Sequence, residues 1–133
     1  MAGIKLEVVT PTGKVLDAQV SAVTAPGSEG DFGVLPEHRP GLVMLGGGAL
    51  TYEGSESGQV FIRGGVAEVR PDGLLVLADD ATTPDNIDRD AAEKILQAAV
   101  EGLDKAEFLD DGRLQRFNSD RAYAEAILKV SGH

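Results

Sequence analysis

The chain has 133 residues, a 42% hydrophobic share and a formal net charge of −10, which bound it to a globular protein of one or two small domains. It has no cysteine, no tryptophan and only two histidines, so disulfides, thiolate-held metals and histidine-rich metal centres are excluded. An acidic chain without a basic stripe lacks the cations that neutralise phosphate, which argues against nucleic acid and against unaided binding to an anionic lipid surface.

The opening "MAGIKLEVVT" enters a strand-like alternation almost at once: Ile4, Leu6 and Val8 alternate with Lys5 and Glu7. That leaves no room for a leader peptide, and no apolar run approaches the roughly 18 residues of a spanning helix. The expectation is a soluble protein made where it works, whose membrane association is indirect. "KVLDAQVSAVTA" continues in β-friendly residues. Next comes "GDFGVLPEHRP", residues 30–40, which reads as neither helix nor ordinary strand, yet carries apolar Phe32, Val34 and Leu35 around the lone internal histidine, His38. "GGG" at 46–48 runs into "ALTYE", a strand, so it reads as a turn rather than a phosphate loop, which would need Lys-Ser/Thr opening a helix. "GQVFIRGGVAEV" and "GLLVLAD" follow, the latter behind a Pro71-Asp72-Gly73 hairpin turn. Residues 1–80 hold 14 of the 17 glycines and five of the six prolines, a density that forbids long helices. Many short strands joined by such turns predict a β-sandwich or barrel.

From about residue 84 the pattern becomes helical. A first helix starts either at Thr83-Pro84-Asp85 or at Asp88, and carries Ala91, Ile95, Ala98 and Gly102 at helical spacing, flanked by Ala92, Leu96, Ala99 and Leu103. "LDDGR" at 109–113 breaks the run. A second helix follows with Phe117, Ala124, Ile127 and Leu128 as apolar members and Asn118, Ser119 or Asp120 as caps. Two helices joined by a short break predict an antiparallel hairpin, with small residues allowing close axes. Its charges are split: residues 85–111 carry nine acidic and three basic side chains, whereas residues 113–129 carry Arg113, Arg116, Arg121 and Lys129 against Asp120 and Glu125. The split fits solvated faces with some cross-helix pairing, or a basic second helix able to exchange its partner for an acidic surface on another protein.

Candidate chemistry is sparse. His38 has only a tail histidine for company, the Asp pairs at 79–80 and 110–111 suit turns and caps, and no serine lies in a nucleophile elbow. Nothing assembles a nucleophile, a base and oxyanion donors. The residues favour a structural or regulatory subunit over an enzyme, with no cofactor.

The order of segments is more specific than any one of them. "APGSEGDFGVLPEHRP" (residues 25–40), "GGGAL", "VFIRGGVAEV", "VLADDA" and "IDRDAA" opening a helical hairpin closely resemble the epsilon subunit of F-type ATP synthases, called delta in mitochondria. The resemblance runs from about Ile4 to Val130. It implies an α+β protein: an N-terminal antiparallel β-sandwich over 1–83 and a C-terminal antiparallel two-helix hairpin over 84–133. It further implies a non-catalytic central-stalk subunit that couples proton-driven rotation of a c-ring to ATP synthesis, at the cytoplasmic face of a bacterial inner membrane. In the family the end of the sandwich faces the c-ring and its side packs on the gamma subunit. The resemblance would place Glu29, Asp31 and His38 nearest the ring, on a loop pinned by Phe32, Val34 and Leu35. The helices of bacterial members lie beside the sandwich or extend toward the catalytic alpha and beta subunits and inhibit hydrolysis, which would give Arg113, Arg116, Arg121 and Lys129 an acidic surface to meet. Some members bind ATP through I/L-D-x-x-R-A. Ile87-Asp88-Arg89-Asp90-Ala91-Ala92 matches except that Ala91 stands at the arginine position, so Asp88 reads first as a helix cap and nucleotide binding is not expected.

Two rivals share the sandwich. A biotinyl or lipoyl carrier, brought up by "VTAPGSEG", needs a lysine at an exposed hairpin tip in mid-domain, and Lys5, Lys14, Lys94, Lys105 and Lys129 do not supply it. A cupin-like metal enzyme needs more histidines than this chain has.

Overall fold

A computed structural model describes residues 3–34, 39–54, 57–105 and 110–131. Among the described residues nine strands come first: β1 (Ile4–Thr10), β2 (Gly13–Gly27), β3 (Gly30–Val34), β4 (Gly41–Leu45), β5 (Gly48–Gly54), β6 (Gly58–Ile62), β7 (Gly65–Arg70), β8 (Gly73–Ala78) and β9 (Ala81–Thr82). A 3-10 turn (Pro84–Asn86) leads into α1 (Arg89–Leu103) and α2 (Asp111–Ser131).

The strands hydrogen-bond in the order β1-β8-β7-β4-β2-β5-β6-β9, with β3 on β2 and β1 also on β2. The 15-residue β2 is the hinge of this path. Its first half pairs with β1 up to Val20, and its second half pairs with β5 and β3. A register shift between Val20 and Ala22 marks the crossing, as a bulge does when a strand passes from one layer to the next. The ladders are antiparallel except one: β1 runs parallel to β8, Lys5 opposite Gly73 through Val9 opposite Leu77. The sequence expectation of a wholly antiparallel sandwich therefore has this one exception. A strand that pairs with neighbours running in opposite directions must be parallel to one of them.

Alternation does what the sequence pattern predicts. Ile4, Leu6 and Val8 are fully buried, and they join Val23, Leu50, Val60, Ile62, Leu74 and Val76 in one core between the layers. Fully burying such a side chain contributes about 1.5–3 kcal/mol each. Pro71 and Asp72 form the two-residue turn between β7 and β8, with Arg70 facing Gly73. At the other end of β7, Gly65 has a φ of +130°, and a side chain there would overlap the Leu77 carbonyl.

Residues 30–34 differ from expectation. They form a regular strand, β3, whose register with β2 runs from Val23–Val34 to Gly27–Gly30. Gly30, at a φ of +128°, closes the tight turn that lets the chain reverse after Ser28 and Glu29. Val34 is buried and Phe32 packs on the core, so both pin the segment, while Leu35 and His38 lie outside the described residues.

In the hairpin the second of the two predicted starts is taken, while the inner stripe of α1 and the start of α2 differ from expectation. The 3-10 turn takes Pro84, and α1 proper starts after Asp88, whose Oδ1 accepts from the Ala91 amide at 3.0 Å. Its inner face is Ala92, Ile95, Leu96, Ala99 and Gly102, whereas Ala91 and Ala98 are exposed. The two candidate stripes are one residue apart, and the inner face draws on both, with Ala92 and Ile95 meeting the Phe61 cluster. The second helix begins eight residues before Ser119. Asp110 is its cap, accepting from the Arg113 amide (2.8 Å) through Oδ1 and from the Leu114 amide (3.0 Å) through its carbonyl. Asn118, Ser119 and Asp120 are thus interior to α2 and not caps. The glycine that breaks the pattern, Gly112, falls in the first turn, where it does little harm. The small residues do allow close axes: at Gly102 the Phe117 ring occupies the space a Cβ would take.

Candidate interaction surfaces

The hairpin lies against the sandwich, α2 on β5 and β6. Three contacts make that seam. The first is apolar. Phe61 is fully buried, but it faces away from the sandwich core and joins Ala92, Tyr123 and Ile127, with Ala49, Ile87 and Ile95 half-buried around them. The second is backbone on backbone. A side chain at Gly47 would overlap the Ser119 carbonyl and come within 2.9 Å of the Tyr123 nitrogen, so the middle of the glycine run is the seat of α2. The third is polar. Arg63 Nε donates to Asp120 Oδ1 at 2.7 Å, with the side chains 32% and 14% exposed. That hydrogen bond holds the Arg63 guanidinium above its ordinary value against the opposing effect of burial. Beside it the Tyr123 phenol is pushed up to about 12 by burial and by the negative charge of Asp80, with Arg63 opposing.

The predicted site residues fall on separate surfaces. Glu29 and Asp31 are exposed at the β2–β3 hairpin tip, with Asp31 opposite Pro26. The tip is anchored to its surroundings: the Ser28 amide donates to the Met44 carbonyl and the Gly46 amide to the Pro26 carbonyl, both at 2.9 Å. Their predicted companion His38 lies outside the described residues. Arg113, Arg116, Arg121 and Lys129 are all exposed on α2, and Arg121 pairs with Glu125 one turn on at 3.5 Å. Among the described residues no ion pair joins α1 to α2. Asp88 holds the helix start, and Arg89 pairs with Glu93 at 3.1 Å on the exposed side of α1.

Two features escaped the sequence. One is the seam itself, since nothing in "VFIRGG" or "RFNSDRAY" marks Arg63 and Asp120 as partners 57 residues apart. The other is an outward apolar row that crosses four strands. Val9 faces Leu77, Leu77 faces Val66 and Val66 faces Met44. Leu77 is 44% and Met44 59% exposed, and Leu42, 72% exposed, adds to the same strand. The signal was available: "LVML" and "LLVL" are apolar at both parities, where a half-buried strand would alternate. A groove of about 1250 Å³ runs from this row to the first turns of α2, bounded by Met44, Leu77 and Asp79 on one side and Gln115, Arg116 and Asp120 on the other. Among the described residues no cluster of acidic and histidine side chains could hold a metal ion, and no helix is long and apolar enough to cross a membrane.

Known proteins share this arrangement. A family model described as ATP synthase, Delta/Epsilon chain, beta-sandwich domain, matches residues 3–84. The ATP synthase epsilon chain of Granulibacter bethesdensis is 36% identical over 132 residues, covering 95% of this chain and 98% of its own. That of Nitratidesulfovibrio vulgaris is 43% identical over 114 residues, covering 84% and 85%. Among solved structures, a chain of the Euglena gracilis mitochondrial ATP synthase OSCP/F1/c-ring assembly is similar with a TM-score of 0.70 at 25% identity, over all of this chain and 83% of that one. The relatives are epsilon chains, not acyl or biotinyl carriers. A sandwich and a helical hairpin matched together, in sequence and in shape, place this chain in the delta/epsilon chain family of ATP synthases.

Proposed function

We propose that the chain is a central-stalk subunit of an F-type ATP synthase, coupling proton-driven rotation of the c-ring to ATP synthesis. One observation carries this reading. The likeness to a chain of an F1/c-ring assembly covers the whole molecule, so both the rigid part and the hairpin are retained. In this reading residues 1–83 form the unit held by the gamma subunit and the c-ring, and residues 84–133 form a regulatory unit. The outward row of Val9, Leu77, Val66 and Met44 gives the gamma subunit an apolar face of the kind that marks protein contacts. Glu29 and Asp31, on a tip tied through Pro26 and Ser28 to Gly46 and Met44, meet the ring together with His38, because torque passes without slippage only through an anchored projection. The chain performs no covalent chemistry of its own. It works at the cytoplasmic face of a bacterial inner membrane, held there by its partners.

The hairpin supplies regulation. Arg113, Arg116, Arg121 and Lys129 point to solvent while α2 is docked, so they are available to an acidic surface on the alpha or beta subunits once α2 leaves. Moving such an equilibrium from 1:99 to 99:1 takes about 5.5 kcal/mol of differential binding. The test is to end the chain after Thr83 in the assembled complex. Hydrolysis of ATP should rise while a gamma-type subunit still co-purifies; unchanged hydrolysis removes the regulatory role, and loss of co-purification removes the stalk reading.

A further inference from the structure

The docked hairpin raises a question: which residues of this chain set how often it leaves. We propose that Arg63 and Asp120 form the catch that holds the hairpin down, and that this pair sets the docked population. The proposal rests on the reading of the hairpin as a detachable unit.

The geometry singles out this pair. Among the described residues it is the one ion pair that joins sandwich to hairpin. The rest, such as Arg121 with Glu125 or Lys14 with Asp17, lie within one unit, and in each of them at least one partner is well exposed. Exposed pairs of that kind hold little, whereas a short charge-assisted bond whose carboxylate is largely shielded holds more. Both ends are rigidly mounted. Arg63 directly follows β6, and its amide donates to the Asp80 carbonyl at 2.9 Å just before the Gly64–Gly65 turn. Asp120 sits in the interior of α2, one residue after the Ser119 carbonyl that rests on Gly47. A side chain that is free of any capping duty can therefore be committed to the seam. Because α2 meets Gly47 without a side chain on the sandwich side, the seat fixes where the helix lies but gives it no directional bond. Arg63 provides one.

The pair also works as a switch element should. When the hairpin leaves, Arg63 keeps company with the backbone and charge of Asp80, while Asp120 leaves with α2 and lies among its cations. Neither charge is left buried and unpaired, so release does not meet the large penalty of a stranded ion.

The test exploits the absence of native cysteine. A single cysteine replacing Ala92, which is buried in the seam, reacts with a thiol reagent only when the seam opens, so its rate follows the open fraction. In that background Arg63→Met and Asp120→Ala should each raise the rate by about tenfold, the size expected for a lost charge-assisted bond. The double variant should react no more than about twice as fast as the faster single one. Circular dichroism and the thermal transition of the sandwich check that each variant folds. A rise below about threefold in either single variant, or multiplication of the two effects in the double, would overturn the proposal. Because the readout needs no other subunit, it stays informative even if truncating the hairpin leaves ATP hydrolysis unchanged.

Discussion

Among the described residues, sixteen buried side chains drawn from β1 to β8 form one continuous core in the sandwich, whereas four, Phe61, Ala92, Tyr123 and Ile127, are the buried members of the cluster that joins the hairpin to it. The sandwich is closed by ladders among its own strands. Among the described residues, the hairpin is held by the Phe61 cluster, the Gly47 seat and one ion pair. The same chain thus contains a part stabilised by its own burial and a part stabilised against the surface of the first. Short helices are marginal alone in water, so α1 and α2 need either this surface or another protein. Local free energies of opening follow such differences in buried contact, and the elements that move are drawn from the weaker end.

The comparison breaks most easily at Phe61. Phe61→Ala should cost about 3–5 kcal/mol, and the loss should appear in hydrogen exchange of α2 amides well before it appears in those of β1 or β8. Equal loss in both would mean one cooperative unit. Gly47→Ala is next. Its added methyl meets the Ser119 backbone and must lift the helix, for roughly 1–3 kcal/mol by analogy with overpacked cores. The measurement is again α2 protection, with the thermal transition of the sandwich unmoved. The smallest effect is absent at neutral pH. The Tyr123 phenol is pushed up to about 12 from 10.0, so the docked state holds its proton more tightly than the free helix does. The resulting stabilisation is complete below about pH 10 and is lost as pH rises toward 12. Docking, followed by amide or thiol protection, should therefore weaken across that range, and Tyr123→Phe should flatten the part of the loss that belongs to this group.

Much of this was legible beforehand, and for identifiable reasons. Alternation at Ile4, Leu6 and Val8, the Pro71-Asp72-Gly73 turn and the Asp88 cap are local rules, and each holds in the structure. What failed was less local. Residues 30–34 carry breakers, yet form a strand because Gly27 and Gly30 are the last pair of its ladder, at the turn, and Gly33 is accommodated opposite Thr24. Asn118, Ser119 and Asp120 look like caps because sequence cannot show that Asp110 has already capped the helix. Gly47 read as a turn residue, which it is, but its stronger constraint comes from a helix more than 70 residues downstream. Of the predicted surface groups, Glu29, Asp31 and the four cations of α2 are exposed, and His38 lies outside the described residues.

The parallel pairing of β1 with β8 has a consequence for how the molecule is made. On the ribosome β1 can find β2 as soon as both emerge, but its other edge stays open until residues 73–77 have been synthesised. An open edge beside a growing polypeptide invites pairing with a neighbour, and contacts so distant along the chain form slowly. Nascent chains should thus be most prone to misassembly just before β8 appears, and the helices, which emerge afterwards, arrive at a seat already built.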